Sequence, residues 1–391
     1  MIPYGRQDVT PADIAAVVAV LQSDFLTQGP AIPRFERAVA QRVGARHAIA
    51  VNSATSALHI ACLALGLGEG DVLWTVPNTF VASANCARYC GADVDFVDID
   101  PASWNMSVDS LRDKLRQARA AGRLPKVVVP VHFGGQPTEQ EAIAELAREY
   151  GFRIIEDASH AIGAARNGES VGSNRWADIT IFSFHPVKII TSGEGGMALT
   201  NDDALAESMS LFRSHGITRD ARRFRDEQAR QNPPGWYYEQ QVLGFNYRIT
   251  DIQAALGVSQ LERLDQYLER RNELARRYDQ KLGGLGVQLP IVLPGNRSAF
   301  HLYPIRVRDG GARSRRAVYD AMRAQGIGVN LHYLPTHLQP YYRDLGFAPG
   351  SFPESEAYAR DAITLPLYPT MTDAQQDQVV AALRSALARH G

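Results

Sequence analysis

The chain has 391 residues and carries 41 basic and 42 acidic side chains, a formal net charge of −1. At roughly 150 residues per domain that length points to two or three domains, and the near-balance of charge argues against DNA or an acidic membrane surface as the main partner. Hydrophobic residues make up 45% of the chain, enough for a large core. Neither an apolar signal core at the start nor a run of about 20 apolar residues is present, and Cys62, Cys86 and Cys90 are an odd, sparse set without zinc spacing, so a reducing cytoplasm is the expected compartment.

The first two thirds of the chain alternate apolar runs with helical patterns. Strands are expected at 45–51, 72–76, 94–97, 126–131, 153–156, 179–184 and 196–200, with helices at 55–67, 81–90, 108–121 and 139–150 between them. The Val-rich run at 126–131 reads as a strand buried on both faces. Such alternation implies right-handed βαβ crossovers and a mostly parallel α/β sheet covered by helices. Residues 219–241 are polar, with an Arg-rich patch interleaved with Asp220, Asp226 and Glu227, and read as a flap. Residues 250–283 read as one long helical connector, followed by strand 301–307 and helices 314–325 and 372–389. The division expected is therefore a large domain over 1–250, including an N-terminal arm, and a smaller α+β domain over 251–391.

In sheets of this kind ligands sit outside the carboxyl ends of the strands, and the polar signals collect there. Lys188 lies in Ser183-Phe-His-Pro-Val-Lys188, between two apolar strands and ahead of Gly193, Gly195 and Gly196. A lysine desolvated at that edge is a usable nucleophile for carbonyls; taken alone, it reads first as a solvated loop lysine, and the glycines that follow shift that reading toward a ligand site. Asp157 ends the strand before it and fits the carboxylate that pyridoxal 5′-phosphate (PLP) needs beside its ring nitrogen, with its neighbour Glu156 on the opposite face as competitor. Ser53-Ala-Thr-Ser56 opens a helix and suits a phosphate or an ordinary N-cap, with Ser183 as a further phosphate donor. Phe80 is placed either to stack on a planar ring or to fill core, and His160 either to touch the ring hydroxyl or to rest in its loop. The chain lacks G-x-x-x-x-G-K-[ST], G-x-G-x-x-G after the first strand, H-E-x-x-H and G-x-S-x-G, so nucleotide triphosphate, dinucleotide, metalloprotease and serine-hydrolase sites have no signal.

Taken in order, Leu26-Thr-Gln-Gly29, Asn52-Ser-Ala-Thr-Ser-Ala-Leu58, Thr79-Phe-Val-Ala82, Glu156-Asp-Ala-Ser-His160, the Ser183 to Gly196 segment, Arg213-Ser-His-Gly216, Gly244-Phe-Asn-Tyr-Arg248, Gln253-Ala-Ala-Leu-Gly257 and His332-Tyr333 resemble the DegT/DnrJ/EryC1/StrS sugar aminotransferases. That resemblance spans nearly the whole chain and implies a fold-type I PLP-dependent transferase. It implies that Lys188 carries the cofactor as a Schiff base, that Asp157 pairs with the pyridine nitrogen, that Phe80 stacks on the ring and that His160 sits near the ring hydroxyl, where many members have Gln. Ala54, Thr55 and Ser183 would hold the phosphate, and Asn246 would reach the cofactor phosphate of a neighbouring subunit in a homodimer with shared sites. Tyr4, Thr27, His185, Arg248, His332 and Tyr333 are the candidate substrate contacts; Arg213 and Arg248 are the candidate partners for a donor carboxylate.

Within the family, Leu26-Thr-Gln-Gly-Pro30, Ser183-Phe-His185 and Leu211-Phe-Arg-Ser-His-Gly216 are most similar to the pseudaminic-acid branch. That branch moves an amino group from L-glutamate to C4 of UDP-4-keto-6-deoxy-N-acetyl-β-L-altrosamine. The alternatives are an aminotransferase for another UDP- or dTDP-keto sugar and a PLP-dependent sugar dehydratase; relatives of the latter kind replace the lysine by histidine. No nucleic acid, membrane or metal partner is expected.

Overall fold

The computed structural model describes residues 1–307 and 315–389. Ahead of the first strand it has two helices that are not among the expected elements. α1 (Pro11–Leu21) is apolar around much of its circumference and leaves Ile14, Val18 and Leu21 exposed. α2 (Ala31–Val43) sets Ile32, Phe35, Val39 and Val43 on one buried face and stops at Gly44, whose φ of 82° is open to glycine at little cost.

The expected alternation follows, with ends within one to three residues of those read from sequence. Its elements are β1 (His47–Val51), α3 (Ala54–Ala64), β2 (Val72–Thr75), α4 (Ala82–Tyr89), β3 (Asp93–Phe96), α5 (Val108–Ala120), β4 (Val127–Val129), α6 (Gln140–Tyr150), β5 (Arg153–Asp157), β6 (Ile179–Ser183) and β7 (Gly196–Thr200); a helix not among the expected elements, α7 (Asp203–Arg213), follows. Seven strands form one sheet in the order β1-β7-β6-β5-β4-β2-β3. The strands from β6 to β3 are parallel, and β7 alone runs against its neighbours β1 and β6. This is a fold-type I α/β sheet.

Strand alternation divides the side chains between two helical layers. Val127 and Val129 enter the cluster with α3 and α4, which includes Leu58, Ile60 and Ala84. Val128 enters the other, with Leu111, Leu115, Ile143 and Leu146 of α5 and α6. At roughly 1.5–3 kcal/mol for each fully buried aliphatic side chain, register is strongly specified. The same alternation, continued to the end of β5, sends Glu156 and Asp157 to opposite faces.

Past α7 the structure departs from the expected outline. Residues 219–241 are tied at their base, where Ile217–Thr218 pairs with Glu239–Gln240, and contain a short helix, Glu227–Gln231. The single connector expected over 250–283 is two helices, α8 (Asp251–Leu261) and α9 (Leu264–Leu282). The break at Glu262-Arg263 turns the Arg263 guanidinium onto buried Asp13 of α1 at 2.6 Å. Burial raises the Asp13 carboxyl pKa, but hydrogen bonds from Arg263, Ser259 and Thr10 bring it down to about 2. Ala254 and Val258 of α8 and Leu268 of α9 join the cluster under β6 and β7, whereas Leu274, Tyr278 and Leu282 join the C-terminal cluster. We therefore propose that the two units meet within α9 rather than at residue 250.

The C-terminal part is built on a three-stranded antiparallel sheet of Val287–Gln288, β8 (Tyr303–Val307) and β9 (Ala362–Leu365), covered by α9, α10 (Arg315–Ala324) and α11 (Asp373–Arg389). The expected start of α10 at Ser314 lies outside the described residues. The N-terminal arm is pinned to this part: Ile2 N–H donates to Gly326 O at 2.9 Å, and Leu367 N–H to Tyr4 O at 3.0 Å. Tyr4 is thereby carried over the carboxyl edge of the large sheet. Among the described residues, no helix is long and apolar enough to cross a membrane.

Candidate active site

A cavity of about 730 Å³ opens at that carboxyl edge. It is lined by Tyr4, Ala54, Thr55, Phe80, Asp157, His160, Ser183, His185, Lys188, His332 and Tyr333, which brings together eleven of the fourteen residues singled out from the sequence. Asn52, Ser159, Glu194, Gln253 and His301 also line it. His301 carries no local sequence signal; the fold alone delivers it, with its ring 4.5 Å from that of His160.

Lys188 is distinguished by what it lacks. The sequence has four lysines. Lys114, Lys126 and Lys281 each meet an aspartate at 2.7 or 2.8 Å. Lys188, among the described residues, has no hydrogen-bond or ion-pair partner for its amine. Burial brings its pKa down to about 8, with the charge of Asp157 pulling the other way. An amine near 8 is partly neutral at physiological pH and nucleophilic.

Asp157 and Glu156 resolve as the strand geometry requires. Glu156 faces away from the cavity and is satisfied there: Gln140 Nε2 donates to it at 2.5 Å and Thr180 Oγ1 at 3.0 Å, with His132 Nε2 at 3.5 Å. Asp157 faces the cavity. Ser83 Oγ donates to one carboxylate oxygen at 2.6 Å and Ser159 N–H to the other at 3.1 Å. Each oxygen keeps lone pairs free for a cationic or N–H partner.

The anion seat is the start of α3. Ser53 caps the helix by accepting Ser56 N–H at 3.1 Å, and the N–H groups of Ala54 and Thr55, in the first turn, have no intrahelical acceptor. β7 passes so close that a Cβ on Gly196 would lie 2.4 Å from both Ala54 N and Ser53 C. Glycine is required there for backbone contact, not for an unusual φ. Ser183 ends β6 at the same edge.

His160 and Tyr333 form the opposite wall. His160 Nδ1 accepts Gly134 N–H at 3.3 Å, so in the neutral ring the proton is on Nε2, which meets Tyr333 Oη at 3.1 Å. Burial first, then the positive charge of Lys188, holds His160 well below its usual pKa and therefore neutral. Tyr333 is held protonated by burial, reinforced by the nearby Asp157 charge. His332 accepts or donates at Thr364 Oγ1, 2.9 Å away, and burial lowers its pKa to about 3. Phe80 stays 59% exposed, its ring 6.3 Å from that of Tyr333, which leaves a free aromatic face at the cavity.

Three expected residues do not line the cavity within this chain. Thr27 is exposed and pairs by backbone with Thr250. Arg248 lies beside Val51, and its Nη1 donates to Ser214 Oγ at 3.0 Å. Asn246 is exposed on the segment beside Ser214. Nor is Arg213 free for a donor carboxylate: its Nη1 bonds Glu36 Oε1 at 2.6 Å and Ala50 O at 2.9 Å. Arg213 and Arg248 are held by bonds within the fold, whereas Thr27 and Asn246 leave their side chains exposed outside the cavity of this chain.

A primary amine without a partner, a carboxylate with free lone pairs, an N–H seat for an anion and an open aromatic face fit PLP group by group. Comparisons with known proteins agree. Residues 7–384 match the DegT/DnrJ/EryC1/StrS aminotransferase family. The spore coat polysaccharide biosynthesis protein SpsC of Bacillus subtilis is 37% identical over 388 residues, covering 98% of this chain and 96% of the relative. Helicobacter pylori PseC, an aminotransferase involved in the biosynthesis of pseudoaminic acid, superposes with a TM-score of 0.90 at 28% identity, with 99% of each chain covered. The sugar aminotransferase Spr1654 of Streptococcus pneumoniae, solved in PMP- and PLP-forms, is 27% identical; its PMP-form gives a TM-score of 0.90 with 100% of both chains covered. The chain belongs to the DegT/DnrJ/EryC1/StrS aminotransferase family and is a PLP-dependent enzyme.

Proposed function

We propose that this sugar aminotransferase transfers the amino group of L-glutamate to the 4-keto carbon of a nucleotide-linked 6-deoxy sugar, with UDP-4-keto-6-deoxy-N-acetyl-β-L-altrosamine as the first substrate to test. The observation that carries the reading is the unpaired, desolvated amine of Lys188 in the same cavity as Asp157 and the α3 seat. The likeness to PseC supports the choice of sugar.

When bound, PLP supplies an aldehyde for amines and a ring that accepts an electron pair. In our reading Lys188 would hold the cofactor through its amine and, as a free amine, would remove and return a proton; positioned proton transfer of this kind contributes roughly 10²–10⁴-fold. Asp157 would keep the ring nitrogen protonated. Ala54, Thr55 and Ser183 would hold the phosphate, Phe80 would stack on the ring, and the His160 Nε2–H and Tyr333 hydroxyl pair would meet the ring hydroxyl. Tyr4, His185 and His332 stand where a sugar would enter.

No arginine lines the cavity among the described residues, so we assign recognition of the donor carboxylates in part to a second subunit. Exposed Asn246 and Leu243, with the apolar surface of α1, support a homodimer in which Asn246 reaches the partner's phosphate. Three free cysteines support a reducing, cytoplasmic compartment.

Purified enzyme incubated with glutamate and a panel of UDP- and dTDP-4-keto sugars tests the reading. The expected result is 2-oxoglutarate formed together with a 4-amino sugar, fastest with the altrosamine derivative. Loss of water from the sugar without 2-oxoglutarate would make the enzyme a dehydratase instead.

A further inference from the structure

We propose that Thr79 and Ser83 form a hydroxyl relay that fixes and tunes Asp157, and that Thr336 of the C-terminal part sets this relay. The inference rests on Asp157 serving the cofactor's ring nitrogen, as proposed above.

The direction of the relay follows from valence. An ionised carboxylate only accepts, so Ser83 Oγ donates its proton to Asp157 across 2.6 Å. The Ser83 oxygen can then only accept from its other neighbour, Thr79 Oγ1, at 2.8 Å, so Thr79 is the donor. The alternative acceptor for Ser83, Phe80 O, is 3.4 Å away and a poorer partner. Ser83 is fully buried and Thr79 2% exposed, so water does not compete for either hydroxyl. With Ser159 N–H on the second oxygen, both ends of the carboxylate are held and its plane cannot turn.

Thr79 is aimed from outside the sheet. Thr336 N–H donates to Pro77 O at 2.9 Å and Thr336 Oγ1 to Thr79 O at 3.2 Å. Tyr333 N–H donates to Asn78 Oδ1 at 3.2 Å. The segment that supplies His332 and Tyr333 to the cavity therefore also clamps the 77–79 turn from which the relay starts. The Ser83 hydroxyl reaches Asp157 and the Thr79 hydroxyl reaches Ser83, so both act through Asp157 and are positioning residues, although Thr79 also lines the cavity.

Removing a donor leaves the Asp157 charge less neutralised by the protein and its plane free to rotate. The added negative charge beside the ring would raise the pH at which the Lys188-linked cofactor changes colour. The test uses holoenzyme variants Ser83→Ala, Thr79→Val and Thr79→Ser, with two readouts: the midpoint of the visible absorbance change against pH, and the dissociation constant of PLP from the apo form. Ser83→Ala is expected to move the midpoint upward by roughly half a unit or more and to weaken PLP by about tenfold or more, as for a lost hydrogen bond to a charged group. Thr79→Val, which keeps shape, shifts both in the same direction by less; Thr79→Ser, which keeps the hydroxyl, behaves as the parent. A merely packing role reverses the Thr79 order, with Val harmless and Ser harmful, and overturns the proposal. Unshifted midpoints in a parent that does show the Lys188-linked colour overturn the relay alone; absence of that colour in the parent overturns the relay together with the cofactor assignment.

Discussion

The two faces of β5 hold adjacent buried carboxylates that differ in what they leave unsatisfied. Behind the sheet, Glu156 lies among Gln140, Thr180 and His132, with donors on both oxygens and no cavity beside it. In front, Asp157 has one protein donor per oxygen, a cavity before it and an unpaired lysine within electrostatic reach. A carboxylate saturated by its own chain stabilises; one left with open lone pairs toward a cavity is placed to act on something else. The contrast separates structure from function more sharply than burial does, since the two are 2% and 6% exposed.

The contrast can be broken by substitution. Lys188→Ala, in the front region, should reduce turnover by about 10²–10⁴-fold, measured as 2-oxoglutarate formation, while the melting temperature holds or rises because an unpaired buried amine is gone. Asp157→Asn should cost about 10²-fold or more in kcat, the scale of a lost electrostatic partner at a reacting centre, with a small change in stability. Gly196→Ala should push β7 off the α3 seat at about 1–3 kcal/mol of strain, read as weakened PLP binding by the apoenzyme. Glu156→Ala is the reverse case: about 1–3 kcal/mol less stable to denaturant, because Gln140 and His132 lose their partner while Thr180 keeps Asn174, with kcat little changed. If Glu156→Ala were to lower kcat as Asp157→Asn does, the division between the faces would not hold.

A milder test sharpens it by pH. With a pKa near 8, Lys188 in the apoenzyme is half neutral at pH 8, and its reactive form falls tenfold per unit below that. Acylation followed by peptide mapping should give Lys188 a midpoint near 8. An ordinary lysine, near 10.4, reacts appreciably only at higher pH. A Lys188 midpoint at that ordinary value would mean that burial does not act on the amine.

Much of the front region was legible in the sequence, because each apolar strand is followed at once by the polar residues that line the cavity: Asn52 to Thr55, Phe80, Asp157 to His160, and Ser183 to Lys188. The choice between Glu156 and Asp157 needed the sheet, since alternation says they differ but not which faces the ligand. Ser83 was hidden inside a helical pattern, and His301 arrives from the C-terminal part without a local signal. Thr27, Arg213 and Arg248 stand outside the cavity of this chain because Thr27 pairs by backbone with Thr250 and the guanidinium groups of Arg213 and Arg248 bond Glu36 and Ser214. α1 escaped notice because its Ala and Val run lacks a clear polar face, and the α8–α9 break because Glu262 and Arg263 are good helix formers whose turn is set by Asp13.

Borohydride reduction of the holoenzyme followed by peptide mass mapping tests the central claim most directly. Lys114, Lys126 and Lys281, all ion-paired, serve as internal controls. The account predicts the reduced cofactor mass on the Lys188 peptide and on none of the other three. Its appearance on another lysine, or on none while PLP is bound, would contradict the account.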